Sequence, residues 1–338
     1  MSTVELAKNI RTASPAEPRW MTEIRTAYRD IDALCEAVGV TPPAKGIGDA
    51  NFPVFATRSF VSRIRRGDPD DPLLRQVMPD PRETVTGPGE VSDPVGDLDA
   101  SSGAGLLEKY EGRSLLITTP ACGIHCRYCF RREFPYHEQS ARRDHFAAAI
   151  ERLSGDASVT EVLLSGGDPL MLSDPALGDL LERLGEVPHL CRVRIHTRMP
   201  VVTPTRVNEI LVRQLQTTRL VPWMVLHINH AAEIDGDVAK GITRLVDGGV
   251  PLLNQSVLLA GVNDDVDTLC ELSERLINLR VTPYYLHQLD PVRGAGHFRV
   301  DVSRGRGLID AMRKRLPGYA VPRYVCEQPG EANKTPLG

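Results

Sequence analysis

Seven cysteines in 338 residues are too few, and odd in number, to staple the chain as a disulfide scaffold. No apolar run reaches the roughly 18 residues that a membrane-crossing helix needs, and the opening Met1-Ser2-Thr3-Val4-Glu5 lacks the apolar core of a signal peptide. Neither sign of charge dominates: a net charge of −4 with scattered basic residues excludes a nucleic-acid tail or a polybasic membrane patch. Repeats and low-complexity tracts are missing. Lysine is scarce, with only Lys8, Lys45, Lys109, Lys240, Lys314 and Lys334 among 40 basic residues. These absences predict a cytoplasmic protein in a reducing compartment, with no nucleic-acid or membrane partner and enough length to bury a large core.

What is present centres on Thr119-Pro120-Ala121-Cys122-Gly123-Ile124-His125-Cys126-Arg127-Tyr128-Cys129-Phe130-Arg131, where three cysteines are spaced C-x3-C-x2-C directly after the apolar run Ser114 to Thr118. Such a loop can aim three thiolates at one face of a cubane iron–sulfur cluster and, with no fourth cysteine nearby, leaves one iron open to a non-protein ligand. Zinc competes, but structural zinc sites close with four ligands, usually from two short halves, and no second half is obvious. Cys35, Cys191, Cys270 and Cys326 sit in apolar periodic segments and read as small buried hydrophobes.

Along the chain, Trp20, Ile24, Ala27, Ile31, Leu34 and Val38 recur at helical spacing before Gly39, Pro42 and Pro43, which predicts one amphipathic helix with a stop signal. From Thr41 to about Gly105 the composition turns to Pro, Gly and Asp, an irregular, partly helical region that packs on the core. Its Asp68-Pro69 and Asp93-Pro94-Val95-Gly96-Asp97 segments read as turns. From Arg113 apolar runs (115–118, 159–164, 192–196, 223–228, 252–259 and 281–287) alternate with helical patterns (139–153, 175–184, 204–215, 238–246 and 266–279). A last helix near 304–315 and a last run, 319–326, follow. Near-continuous apolar strands separated by helices mean parallel βαβ units. The fold class is α/β, a partial (β/α)6 TIM-like barrel. We divide it into an N-terminal mainly helical region (1–105), the barrel (106–300) and a C-terminal segment carrying Lys334 (301–338).

In that architecture chemistry gathers at the carboxyl ends of the strands. Ser165-Gly166-Gly167-Asp168 has two glycines that let backbone approach a ligand and a carboxylate that can receive an amino group. Lys334 lies just after a β-like run in a loop of short side chains, either solvated or poised for a Schiff base with an aldehyde cofactor, pyridoxal phosphate. Arg113 and Arg198, at strand ends, can supply cations to a phosphate. Arg131 matches a carboxylate, and Asp290 with Glu327 suits a distal ammonium, so that together they suit a zwitterion with a second amine, such as lysine. His227, His230 and His287, at strand ends, read as hydrogen-bonding groups around the site, with a metal site as the alternative.

These segments, with Ile195-His196-Thr197-Arg198-Met199-Pro200-Val201-Val202, Asn254-Gln255-Ser256-Val257-Leu258-Leu259 and Tyr284-Tyr285-Leu286-His287-Gln288-Leu289-Asp290-Pro291, resemble the radical S-adenosylmethionine enzymes and, within them, the lysine 2,3-aminomutase family. The variants look most like its short bacterial branch, which makes (R)-β-lysine for modification of translation elongation factor P. The resemblance implies that Cys122, Cys126 and Cys129 ligate a [4Fe-4S] cluster. It implies that Ser165, Gly166, Gly167, Asp168 and Gln255 contact S-adenosylmethionine; from their strand-end positions we also count His227 and Arg198 among the cofactor-binding residues. Lys334 would carry pyridoxal 5′-phosphate near Arg113, and Arg131, Asp290 and Glu327 would bind lysine. A reductant such as flavodoxin or ferredoxin, and a functional link to elongation factor P and its lysine ligase, follow from the same resemblance. The alternatives are an aminomutase for another amino acid or for free-lysine metabolism, and a non-catalytic metal-binding protein. This chain departs from the free-lysine enzymes in having Gly330-Glu331-Ala332-Asn333-Lys334 for a run of glycines, Lys109 for an arginine, and Glu327 for an aspartate.

Overall fold

The computed structural model describes residues 17–43, 52–139 and 141–338; Met1–Glu5, Lys8 and Lys45 lie outside the described residues. A single ten-stranded sheet runs in sequential order: β1 (Ser101–Gly103), β2 (Leu106–Tyr110), β3 (Arg113–Thr119), β4 (Glu161–Gly166), β5 (Arg192–Thr197), β6 (Val221–Leu226), β7 (Leu252–Leu258), β8 (Val281–Gln288), β9 (Arg323–Cys326) and β10 (Thr335–Pro336). From β3 to β9 every neighbouring pair is parallel. Antiparallel strands flank that run, β1 and β2 on one side and β10 on the other. The sheet stays open, so the six predicted βα units are present and β9 extends them with one more parallel strand.

Each parallel crossover carries a helix: Ala147–Gly155, Asp174–Glu186, Glu209–Thr217, Gly236–Asp247, Val266–Asn278 and Val302–Arg313. Side-chain caps start four of them, Ser173 receiving Ala176 N–H, Asn208 receiving Leu211 N–H, and Asp235 and Asp265 each receiving two amides. Apolar stripes such as Leu177, Leu180, Leu181 and Leu184 then face the sheet.

The strands alternate more than a doubly covered parallel sheet requires. On β4 and β5, Val162, Leu164, Val193 and Ile195 are buried in the main apolar cluster, while Leu163, Arg194 and His196 line an internal cavity. On β7 and β8, Gln255, Val257, Tyr285 and His287 take the same inward face. One face meets helices and the other meets a partly polar hollow, so period two replaces continuous apolarity.

The N-terminal region differs from its sequence reading in one respect. The single predicted helix is two, Arg19–Arg25 and Ile31–Val38. Tyr28 leaves the helical path to pair with Ala56, and Asp30 caps the second helix through Ala33 N–H. Gly39 ends that helix at φ 72°, as its stop signal implied. The predicted 139–153 helix is also broken: its regular part is Ala147–Gly155, preceded by positive φ at His145 and Phe146. Cys35 and Cys270 are buried as expected, whereas Cys191 is exposed and Cys326 only half-buried. Among the described residues no helix is long and apolar enough to cross a membrane.

Phe60, Leu73, Leu74 and Val77 of the N-terminal region join the same apolar cluster as Leu116, Leu164 and Ile195 of the sheet. Leu73→Ala should therefore lower global stability by about 2–5 kcal/mol in a single chemical-denaturation transition. A loss below about 0.5 kcal/mol would show that this region is not part of the cooperative core.

Candidate active site

Beyond β3 the chain crosses the carboxyl ends of the strands as the three-cysteine loop, stitched directly to the turn after β4. Gly167 N–H donates to the Thr119 carbonyl at 2.7 Å and Asp168 N–H to the Ala121 carbonyl at 2.8 Å. Gly166 sits at φ 115°, and a Cβ there would lie 2.8 Å from the Thr119 oxygen. A Cβ on Gly167 would run into the Ala121 carbonyl. The glycines thus serve a close approach of two backbones, where the sequence reading assigned that closeness to a ligand. The N-terminal region grips the other side of the loop. Buried Arg127 donates from Nε to Glu83 at 2.8 Å and from Nη1 to the Phe52 carbonyl at 2.6 Å, and Glu83 also accepts from Arg132 at 2.8 Å.

Cys122, Cys126 and Cys129 are all free thiols on the wall of one cavity of about 530 Å³. Burial pushes Cys129 up to about 11 and Cys122 well above its ordinary value, with Cys126 and Cys129 respectively adding repulsion. Bare, these two are thiols at neutral pH, and binding iron would require them to ionise. Among the described residues no three His, Cys, Asp or Glu side chains converge on a single ion; a cubane asks instead for one thiolate per iron. The donor set fits that demand, with cationic Arg198 against Cys126 to offset the cluster's negative charge.

Arg198 is placed differently from its expected role at a phosphate. Its Nη1 donates to Cys126 Sγ and to Tyr128 Oη, both at 2.8 Å, and its Nη2 to Gln76 Oε1 at 2.6 Å and Glu233 Oε2 at 2.9 Å. With both terminal nitrogens engaged, it belongs to the cysteine end of the site. Asp168 also departs from its expected contact with an amino group. Its oxygens accept from Leu170 N, Thr197 Oγ1, Arg198 N and Met199 N, so it ties the β4 and β5 loops together. Burial lifts its carboxyl to about 6 against the pull of those bonds. His227 shares Tyr128 Oη at 2.8 Å, and burial, with Arg198 nearby, lowers it to about 3, a neutral imidazole. Gln255 and Ser165 line the cavity beside it. His230 turns away to cap a 3-10 turn through Ala232 N–H, and His287 lines the cavity with its Nε2 unpaired.

The other expected residues meet in one row of alternating charge. Arg131 donates from Nε to Asp97 at 2.6 Å and from Nη1 to Ser165 Oγ at 3.1 Å. The other Asp97 oxygen pairs with Lys109 at 2.6 Å, Lys109 reaches Glu327 at 3.3 Å, and Glu327 pairs with Lys334. The β9–β10 hairpin makes that last contact, because Cys326 opposes Thr335 and so sets Glu327 against Lys334. Burial alone would raise Asp97 and Glu327, yet the cations beside each hold both below the ordinary carboxylate range. Burial also opposes the Arg131 charge, and Asp97 overrides it. Arg113 contacts this hairpin through Asn333 Oδ1 at 3.3 Å. Asp290, deep in the cavity wall, has no side chain paired with its carboxylate among the described residues, and burial lifts it to about 7.

Every residue predicted for the cluster, the cofactors and the substrate lines this one cavity. Sequence reasoning missed Asp97, read as part of a turn, together with Glu83, Glu233, Gln76 and Tyr128. The only signal for Asp97 is that a D-P-V-G-D turn ends in a carboxylate that a nearby Arg or Lys can neutralise.

Residues 116–272 match the family model for the Radical SAM superfamily. The chain is 40% identical to a protein of Escherichia coli (strain K12) named L-lysine 2,3-aminomutase, over 98% of each chain. It is 39% identical to the Haemophilus influenzae protein of that name, covering 94% of this chain and 95% of the relative. With the Clostridium subterminale protein of that name it shares 36% identity, over 98% of this chain and 80% of the relative.

Asp290 gives a pH test. Its folded pKa, about 7, is raised above the ordinary carboxyl value. Between about pH 4 and 7 the folded protein therefore holds a proton that the unfolded chain has lost, and stability falls as pH rises through that window. In ligand-free protein Asp290→Asn removes the fall. Relative to wild type the variant should gain stability from about pH 4 to 8, by on the order of 2 kcal/mol, in urea titrations at several pH values. A difference that does not vary with pH would contradict the assignment.

Proposed function

The chain belongs to the lysine 2,3-aminomutase family of radical S-adenosylmethionine enzymes and is an isomerase, and on that premise we propose that it converts (S)-α-lysine to (R)-β-lysine using pyridoxal 5′-phosphate on Lys334. The observation that carries this reading is the charge pattern of a single cavity. Arg131 begins a row of ion pairs, buried at its start and half-buried where it ends at Lys334, and the unpaired carboxyl of Asp290 lies close enough to feel the charges of Lys334, Glu327 and Lys109. A lysine zwitterion needs a cation for its carboxylate and an anion for its distal ammonium, and an acidic side chain would be repelled by Asp290.

When bound, the cluster with S-adenosylmethionine supplies a carbon radical that can remove a substrate hydrogen, and pyridoxal phosphate supplies a carbonyl carrier for the migrating amino group. The residues do the rest. Cys122, Cys126 and Cys129 would hold the cluster, and Ser165, Gly166, Gly167 and Gln255, on the same cavity wall, would hold S-adenosylmethionine. Arg131 keeps Nη2 for the substrate carboxylate while Asp97 and Ser165 fix its plane. Asp290 gives up its proton to receive an ammonium. Lys334, paired with Glu327 in the free protein, would hold the cofactor, and Arg113, bonded to Asn333 of the same hairpin, would supply a cation for its phosphate. Glu327 keeps Lys109 and turns its freed oxygen to the distal amine. A cavity of this depth would hold the reacting atoms in register and limit the access of water.

In the same reading the electron comes from a flavodoxin or ferredoxin, and β-lysine passes to a ligase that modifies translation elongation factor P. Both steps rest on the likeness of the motifs to the short bacterial branch.

Anaerobically reconstituted protein, given lysine, ornithine or glutamate separately, should release a β-amino acid from lysine at least ~10-fold faster than from ornithine, and none from glutamate. Arg131→Met should lower kcat/KM for lysine by ~100-fold or more. Preferred turnover of glutamate, or an unchanged kcat/KM in Arg131→Met, would refute the substrate assignment.

A further inference from the structure

The ion-pair network behind Cys126 is not used by any step above. We infer that Arg198 is a positioning residue for the iron–sulfur cluster that makes it easier to reduce by donating to the Cys126 sulfur, and that Glu233 sets how strongly it does so. This inference rests on the family reading of the three cysteines.

The geometry is that of a fixed donor. The Arg198 side chain is 6% exposed and that of Glu233 fully buried. Glu233 Oε2, at 2.9 Å, and Gln76 Oε1, at 2.6 Å, hold one guanidinium nitrogen, and the other reaches Cys126 Sγ and Tyr128 Oη. The Arg198 backbone is tied down as well, its N–H donating to Asp168 at 2.7 Å. The counter-charge is equally fixed: Glu233 Oε1 accepts from Asn229 N at 2.9 Å, His230 N at 3.1 Å and Gln76 Nε2 at 3.2 Å.

Reduction adds an electron to a cluster whose charge is already negative, and the ligand sulfurs carry part of it. A hydrogen bond to such a sulfur stabilises the reduced form more than the oxidised one, and does so most in a buried site where water cannot screen. A positive donor raises the midpoint potential, and a carboxylate beside that donor takes part of the effect back. The two residues therefore act on the potential with opposite sign. A guanidinium suits this task because its planar fork can hold Glu233 on one nitrogen and the sulfur on the other, which a lysine ammonium cannot reproduce in the same plane.

The test is an electron-paramagnetic-resonance redox titration of the full chain, reconstituted anaerobically without S-adenosylmethionine, with iron and sulfide analysis to establish equal loading. Glu233→Gln should move the midpoint to a higher potential than wild type. Arg198→Gln would leave Glu233 buried and unpaired and can fail to load, so Arg198→Gln with Glu233→Gln is made alongside it. That pair should move the midpoint to a lower potential, with Arg198→Lys falling between it and wild type. Unchanged midpoints at full loading, or shifts of the same sign in Glu233→Gln and the double variant, would overturn the inference while leaving the family reading intact. A wild-type protein that loads no reducible four-iron cluster would overturn both.

Discussion

Glu327 pairs with Lys109 through one oxygen and with Lys334 through the other, and the arrangement of the whole cavity depends on that double contact. Charges removed from water need partners, and a buried pair is worth more for the geometry it imposes than for net stability. Extended through Asp97 to Arg131, the contact makes five side chains from four segments neutralise one another in sequence. No member can be displaced without leaving its neighbour's charge unpaired. Under the proposed function, the distal amine of the substrate would take the place at Glu327 that Lys334 leaves for the aldehyde of the cofactor.

The fold makes the row possible by keeping one face of its strands away from the apolar core. The outward face, with Val162, Leu164, Val193 and Ile195, is buried with the helices, and the inward face carries Arg194, His196, Gln255 and His287. Because β3 to β9 are parallel, their carboxyl ends gather on one rim, where the cysteine loop, the Ser165–Asp168 turn and the β9–β10 hairpin meet. Gly166 and Gly167 let two of those segments touch backbone to backbone. The rim is therefore stiff at the cysteine end, while Lys334 stands on a short hairpin at the other.

Much of this was legible in order along the chain. The alternation of runs and helices announced the parallel sheet, and the three cysteines, the two glycines, Asp290 and Lys334 were each marked by residue type after a strand-like run, with Arg131 marked by its place just past the last cysteine. What escaped was pairing between distant segments. Asp97 meets Arg131 and Lys109, and Arg127 meets Glu83, only because the fold brings them together. Arg198 follows the carboxyl end of β5 while Arg113 opens β3, and position alone could not say that Gln76 and Glu233 turn Arg198 toward Cys126. The break at Tyr28 within an otherwise helical pattern has the same origin, since its partner Ala56 is far along the chain.

The claim on which the rest turns is that Lys334 exchanges its bond with Glu327 for one with an aldehyde cofactor. Pyridoxal phosphate can be added to the protein, the adduct fixed with borohydride, and the modified lysine located by peptide mass spectrometry. The account predicts one pyridoxyl group per chain, on Lys334, that free phosphate competes for and that Lys334→Ala abolishes. Modification spread over surface lysines, or an unmodified Lys334, would contradict it.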